Sequence, residues 1–420
     1  MQRRSFLESI LAAPLGMLGS RVTAAPLNRV ARRAAEDHGG PLLSGVARID
    51  ITPLTPVCLE GYLDPATRVS TGIHDRLFAR AFAFSVGPRR LLWVCCDVAS
   101  MTFGDYLRRP LADTLGLAPE ELLLCATHTH SGPLLTLHPS YPNNVAYTQH
   151  LPRVLLRVGT QAWRRRRPAQ ITFGTARSSV GVSRRRLMPD GHIAMLANPG
   201  GVSDPEVAAL QIRTSTGTPQ GVIFGYACHS RTLRAPNRLV SGDVLGLAEQ
   251  ELEGGPPGLV AAACAGASGD VDPAQVVDGF DADGGGPPVR LARDLGRSVR
   301  EALALATPVR VDRLRSAALR AVLPAKQSEQ QKAVQVHVAA LGHVAIVGLD
   351  CEASTEIGLA IKAASPFAST MVVTNCNGWS GYLPVSHQYD EGGYEVERSG
   401  FARDAAGQLV SRVVGLLRSL

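Results

Sequence analysis

Two histidines separated by a single residue, His128 and His130, follow the apolar run Leu122-Leu123-Leu124-Cys125-Ala126. The run has the composition of a buried strand. The segment Thr127-His128-Thr129-His130-Ser131-Gly132-Pro133 breaks it with turn-forming residues. Alternation along a strand places His128 and His130 on one face, where paired imidazoles bind a metal ion or relay a proton. A polar rim that merely contains two histidines has the same local pattern.

The layout recurs along the chain. Residues 91–96 run into Asp97, residues 222–228 into His229, and residues 259–264 lead through a small-residue stretch to Asp270. Residues 344–349 lead to Asp350-Cys351-Glu352, and residues 371–374 to Asn375. Open α/β sheets gather ligands at the carboxyl ends of their strands, because strand ends fix side chains around a crevice. His128, His130, His229 and Glu352 could converge there, although periodicity alone does not make their strands neighbours. Two histidines and a carboxylate form a common ligand field for catalytic zinc, which keeps one position open for water.

Those strands alternate with helical patterns over residues 106–115, 149–164, 243–252, 289–305, 356–364 and 403–417. The expected fold class is therefore α/β: a mixed β-sheet core flanked by helices, with the active site at the carboxyl ends of the strands. Asp243 is placed to cap its helix. Residues 278–288 read as a glycine-rich loop at the mouth of the site. Residues 310–323 read as strands at a sheet edge, and residues 392–394 as part of an irregular segment near Glu352.

With 420 residues, 45% of them hydrophobic, the chain can bury a large core. Its net charge of +7 comes largely from local arginine runs such as residues 164–167 and 184–186. Only 5% of residues are aromatic, and the basic runs lack interleaved stacking residues, so no nucleic-acid partner is expected. Arg3-Arg4 ahead of a short apolar stretch and Val22-Thr23-Ala24-Ala25 has the arrangement of a twin-arginine export signal. The expected organisation is a signal over residues 1–25, a flexible linker over 26–41 and one domain over 42–420. The partner for export is the twin-arginine machinery, the destination periplasmic or secreted, and the mature chain has no transmembrane helix. Most of the eight cysteines sit in apolar runs and read as small hydrophobes rather than a disulfide framework.

Six segments together resemble the neutral/alkaline non-lysosomal ceramidase family, in its catalytic N-terminal domain. They are Arg48-Ile49-Asp50-Ile51-Thr52-Pro53, Gly72-Ile73-His74-Asp75, the segment from Thr127 to Pro133, Tyr226-Ala227-Cys228-His229, Gly269-Asp270-Val271-Asp272-Pro273 and Asn377-Gly378-Trp379-Ser380-Gly381-Tyr382. They occur in the family's order and span the chain from about Val46.

The resemblance implies hydrolysis of the amide of an N-acyl-sphingosine or related N-acyl lipid at one zinc ion per chain. Its implied metal ligands are His128, His229, Glu352 and Tyr382. His130 is then a proton-transfer residue and Arg184 a catalytic arginine, with Arg185 and Asp270 contacting substrate. Zinc would polarise the amide carbonyl and make water more acidic, while His130 moves a proton to the leaving amine. Two departures bear on the substrate. The family's Gly-Asp-Val segment continues Ser-Pro, with the serine acting in cleavage, whereas Asp272 stands here as general base or turn former. The ceramidases' C-terminal β-domain is also not expected. The expectation is an exported zinc amidohydrolase; the alternatives are a zinc hydrolase of another ester or amide, a silent metal-binding relative, and a cysteine hydrolase.

Overall fold

Alternate residues along the central strands pack against two different apolar layers, and this double burial sets the architecture. The computed structural model describes residues 39–62, 64–327 and 331–420, so the expected export signal and most of the expected linker lie outside the described residues. In chain order the strands are β1 (Leu43–Asp50), β2 (Gly72–Ile73), β3 (Phe78–Val86), β4 (Arg89–Cys96), β5 (Leu122–Ala126), β6 (Arg167–Arg177), β7 (Gly181–Leu187), β8 (Ile193–Asn198), β9 (Glu206–Thr214) and β10 (Pro219–Tyr226). They continue as β11 (Leu239–Val240), β12 (Val260–Ala265), β13 (Val271–Pro273), β14 (Thr307–Val309), β15 (Leu314–Pro324), β16 (Gln331–Leu341), β17 (Val344–Leu349), β18 (Glu352–Ala353), β19 (Ser369–Val373) and β20 (Tyr382–Leu383). The helices are α1 (Gly104–Leu115), α2 (Pro142–Arg164), α3 (Asp243–Glu253), α4 (Pro287–Ala304), α5 (Thr355–Ala364), α6 (Gln388–Glu391), α7 (Tyr394–Arg398) and α8 (Ala405–Arg418).

The large sheet runs β12-β10-β9-β6-β1-β3-β4-β5, with β14 added to β6. A second sheet runs β15-β16-β17-β19, and a third β13-β7-β8. Phe82, Phe84 and Trp93 face the second sheet, where they meet Ile346 and Met371. The intervening Ala81, Ala83, Leu92 and Val94 face Leu107 of α1 and Leu155 of α2. On the far side of the second sheet, Val336, Val338 and Val347 pack against Ile357 of α5 and Leu409 of α8. The expected mixed sheet flanked by helices is thus present, but as two sheets stacked face to face between helical layers. Apolar runs buried on both sides look alike whether the neighbouring layer is a helix or a sheet.

Three βαβ units organise the strand ends. The pairs β4–β5, β10–β12 and β17–β19 are parallel, and α1, α3 and α5 supply the crossovers that parallel pairing requires. Their carboxyl ends are tied together: Ala126 donates to the Asn375 carbonyl at 3.1 Å and Thr374 to that of Ala265 at 2.8 Å. The Asn377 side chain accepts from Leu124 N at 2.8 Å and donates to Leu122 O at 3.0 Å, covering the free edge of β5 as a strand would.

Two residues singled out in the sequence belong to this scaffold. Asp97 pairs with the buried Arg80 at 2.9 Å, which also meets Glu249 and Glu253 of α3. Asp243 accepts from Val244 N at 2.6 Å at the start of α3. It sits at φ +53 with its carboxylate also accepting from the amides of Thr232 and Leu233, both at 3.0 Å, and so pins the loop that follows His229. All eight cysteines are free and buried, with Cys95 and Cys264 sulfurs 3.5 Å apart and those of Cys125 and Cys376 3.4 Å apart. Among the described residues no helix is long and apolar enough to cross a membrane.

His337 of β16 carries a pH dependence. Burial and then the Arg108 guanidinium push it down to about 3, against an ordinary value of 6.5. A base depressed in the fold contributes stability that is complete above the unfolded pKa and is lost as pH falls toward the folded one. Stability should therefore decline between about pH 6.5 and 3, by at most about 1.4 kcal/mol per pH unit from this group. Urea unfolding at pH 7.5 and 5 should show a smaller loss for His337→Leu than for the unaltered chain.

Candidate metal centre

β5 ends at Ala126, and the next residues are held by β4: Thr127 donates to Cys96 O at 2.9 Å and His128 to Val98 O at 3.0 Å. His128 takes φ +62, a left-handed conformation uncommon outside glycine. Its Nδ1 lies 2.5 Å from the Ala99 carbonyl, which can only accept. Nδ1 therefore carries the proton and Nε2 presents a lone pair. His229 follows β10 and is anchored in the same manner, with Nδ1 2.6 Å from Ser268 O and 3.1 Å from Val271 O. Carbonyls that fix the tautomer and ring plane are the usual support behind metal-binding imidazoles.

Glu352 meets both rings. Its Oε2 lies 3.2 Å from His128 Nε2 and 3.2 Å from His229 Nε2, while Oε1 accepts from Trp379 Nε1 at 2.8 Å. β18 carries Glu352 and pairs in parallel with β20, placing Tyr382 beside it; the Tyr382 hydroxyl is 3.5 Å from His229 Nε2. His130 brings Nε2 to 3.4 Å from His128 Nε2, and its buried Nδ1 has no partner among the described residues. Ligand atoms of His128, His130 and His229 lie within 4.8 Å of one another.

Strand alternation is not what unites His128 and His130. Both lie beyond the end of β5, and the left-handed turn at His128 brings their rings edge to face at 89°. Gly61 holds the other side of His130. At φ +102 a Cβ there would fall 2.4 Å from the ring, so only glycine admits the imidazole.

The electrostatics define what the cluster fits. Burial and then the Arg184 charge push His229 down to about 4, and burial with the neighbouring imidazoles holds His130 well below its ordinary value. Burial opposes ionisation of Glu352, but His128 and His229 outweigh it and hold its carboxyl well below the usual range. Burial also opposes a charge on His128, yet the Glu352 carboxylate raises its pKa. Two imidazole lone pairs and a carboxylate oxygen therefore point at one another, an arrangement that only a positive charge between them makes favourable. The donor set, nitrogen with carboxylate oxygen, suits zinc.

Beside this cluster, Arg184 donates to Asp272 Oδ1 at 3.1 Å, Glu395 Oε1 at 2.8 Å and Gly269 O at 2.7 Å, with Nη1 3.4 Å from His229 Nε2. Asp272 Oδ2 accepts from Arg231 at 2.9 Å. Burial works against ionisation of Asp272, but the two guanidiniums overcome it and lower its pKa.

Arg185 and Asp270, expected to contact substrate, are bonded to neighbouring groups of the protein. Arg185 donates to Glu395 at 2.7 Å, Glu391 at 2.9 Å and Gly392 O at 2.8 Å, tying down α6 and α7. Consecutive strand residues normally face opposite ways; a register irregularity between Ser183 and Arg185 lets both arginines reach Glu395. Asp270 accepts from the amide and hydroxyl of Thr355 and from Gln388, each at 2.8 Å, which uses both its oxygens in joining α5 and α6.

Sequence reasoning missed Glu60, Tyr62, Arg231, Trp379 and Glu395. Glu60 accepts from Ser100 at 2.8 Å and Leu135 N at 3.3 Å, and burial pushes it up to about 7. It lies in a loop without periodicity, so no pattern marks it. Arg231, two residues past His229, was within reach of the same reasoning that found the histidine.

Comparison with known proteins identifies the family. Residues 42–284, more than half of the chain, match the family described as neutral/alkaline non-lysosomal ceramidase, N-terminal. The chain is 28% identical over 231 residues to a neutral ceramidase of Pseudomonas aeruginosa, an alignment covering 51% of this chain and 34% of that protein. The chain thus spans about a third of the length of this relative. Its fold is similar to a ceramidase complexed with C2, at TM-score 0.75 and 18% identity over 90% of this chain and 75% of the other. The crystal structure of the Pseudomonas aeruginosa neutral ceramidase is similar at TM-score 0.74 and 20% identity, with the same coverage. Glu352 and Tyr382 lie beyond the matched segment, so geometry alone joins them to the histidines.

Asp272→Ala leaves two buried guanidiniums without their shared carboxylate. Removing one partner of such a set should cost about 3–5 kcal/mol, measured as the change in unfolding free energy in denaturant.

Proposed function

Because this chain belongs to the neutral/alkaline non-lysosomal ceramidase family, we propose that it is a zinc-dependent hydrolase of an acyl-amide. The observation carrying this reading is the meeting of two carbonyl-anchored imidazoles with the Glu352 carboxylate. His128, His229 and Glu352 would hold one ion per chain, with the Tyr382 hydroxyl as a fourth group. A bound divalent ion supplies a Lewis acid that polarises the acyl carbonyl and acidifies water.

The remaining work falls to the chain's own groups. The Nδ1–H bonds of His128 and His229 keep both rings turned toward the cluster. His130, neutral because it is buried among other imidazoles, takes the proton of the attacking water at Nε2 and returns it to the leaving nitrogen. Arg184 stands beside His229 and, anchored by Asp272 and Glu395, keeps a fixed positive charge near the carbonyl oxygen of the substrate. Asp272, held by two arginines, positions them and is not the base in this reading. The substrate class is an N-acyl lipid or related acyl-amide.

A second reading, a metal-binding relative without turnover, draws on the same Asp272, which stands where the ceramidases have a serine. An ester in place of the amide would use the same groups. The Arg3-Arg4 leader supports export by the twin-arginine machinery and a periplasmic or secreted location.

The test is metal content together with hydrolysis. Purified protein should hold one zinc per chain, lose amide hydrolysis in chelator and regain it with zinc. His229→Ala should lower kcat/KM by more than about 100-fold, beyond the loss typical of groups that only support a ligand. Protein without stoichiometric metal, whose His229→Ala variant keeps full activity, contradicts the proposal; zinc without hydrolysis of amides or esters selects the second reading.

A further inference from the structure

Two guanidiniums beside the histidine cluster share one carboxylate. Asp272 accepts from Arg184 through Oδ1 and from Arg231 through Oδ2. Arg184 places its other donors on Glu395 and Gly269 O, and is fully bonded within the protein. Arg231 is not. Beyond Asp272, its Nη1 meets the Met195 sulfur at 3.0 Å, a weak acceptor, and the guanidinium also bonds the Tyr62 side chain, but its buried Nε has no acceptor among the described residues. A buried donor without a partner calls for a physical explanation.

The surroundings add positive charge. Arg231 and Arg68 both lie near the Tyr62 ring, 5.7 and 4.6 Å from its centroid. Arg68 is bonded to backbone carbonyls, including those of Glu60 and His130, and pairs with no carboxylate among the described residues. The Tyr62 ring meets that of His130 at 5.4 Å, so this basic wall adjoins the cluster. Guanidinium donors of this kind recognise a carboxylate, whose planar oxygens match the fork.

We propose that the amine half of the substrate carries a carboxylate that binds Arg231, so that the substrates are N-acyl amino acids rather than uncharged N-acyl amines. This inference rests on the hydrolase reading given above. The reaction adds water across the amide: the water oxygen bonds to the acyl carbon, the carbon–nitrogen bond breaks, and the nitrogen takes up a proton. A fatty acid and a free amino acid leave. Arg231 touches the carboxylate, and Asp272 positions Arg231 through Nη1.

Binding and turnover test the two claims separately. Calorimetry on the zinc-loaded full chain compares N-dodecylsulfonyl-glycine with N-dodecylsulfonyl-ethanolamine, a matched pair that resists hydrolysis. The carboxylate should bind about 10-fold tighter or more, as expected for a hydrogen bond between charged partners. Arg231→Met should bring the ratio near one, and Arg231→Lys should keep part of the preference. Equal or weaker binding of the carboxylate overturns the inference, as does a preference that survives Arg231→Met. If Arg231→Met does not fold, the ratio in the unaltered protein and in Arg231→Lys decides. Hydrolysis of N-lauroylglycine is then set against that of N-lauroylethanolamine. Retained carboxylate preference without hydrolysis of either amide contradicts the hydrolase reading alone. Hydrolysis of both without preference contradicts this inference alone.

Discussion

Glu352 Oε2 sits at equal distance from two imidazole nitrogens, and each of those rings is locked from behind by a backbone carbonyl. The constraint is directional. A carbonyl at Nδ1 can only accept, so the proton is committed there and the lone pair at Nε2 is turned toward the carboxylate. Three electron-rich atoms in a buried space repel one another unless a cation or a proton lies among them. His128 shows the consequence, since Glu352 draws a proton toward it despite burial.

Fold and site are connected through the three βαβ units. Each crossover helix lets two parallel strands end on the same side, and the groups of interest follow those ends. Hydrogen bonds from Ala126 to Asn375 and from Thr374 to Ala265 then join units that are distant in the chain. The two sheets pack face to face through Phe82, Trp93, Ile346 and Met371, which makes the strand ends a rigid frame. Rigid support of this kind keeps metal-binding side chains in place without a ligand to organise them. Around the frame, Asp270 and Arg185 serve as ties, holding α5, α6 and α7 against the cluster.

Much of this was legible in the sequence because strand ends announce themselves. An apolar run stopping at His128, His229 or Glu352 is a local signal, and the helices between the runs are periodic enough to read. Long-range pairing is not local. Nothing in residues 344–349 tells that β17 belongs to a second sheet, since a strand covered by another sheet and one covered by helices are equally apolar. The roles of Arg185 and Asp270 were obscured for a related reason. A register irregularity in β7 and the fold of residues 388–398 decide where those side chains point, and neither leaves a pattern. Glu60 escaped because its loop has no period, although burial makes it one of the more perturbed carboxyls near the cluster.

The basic wall of Arg231 and Arg68 and the doubly paired Asp272 belong to one physical picture. Two guanidiniums hold the two oxygens of Asp272, which in turn orients them. The histidine cluster thus has a basic wall at its side. Diffraction from zinc-soaked crystals, with data collected on both sides of the zinc absorption edge, tests the central claim most directly. The account predicts one strong anomalous peak per chain, enclosed by His128 Nε2, His229 Nε2 and Glu352 Oε2. An anomalous map with no peak there, or with zinc bound only elsewhere on the molecule, would contradict it.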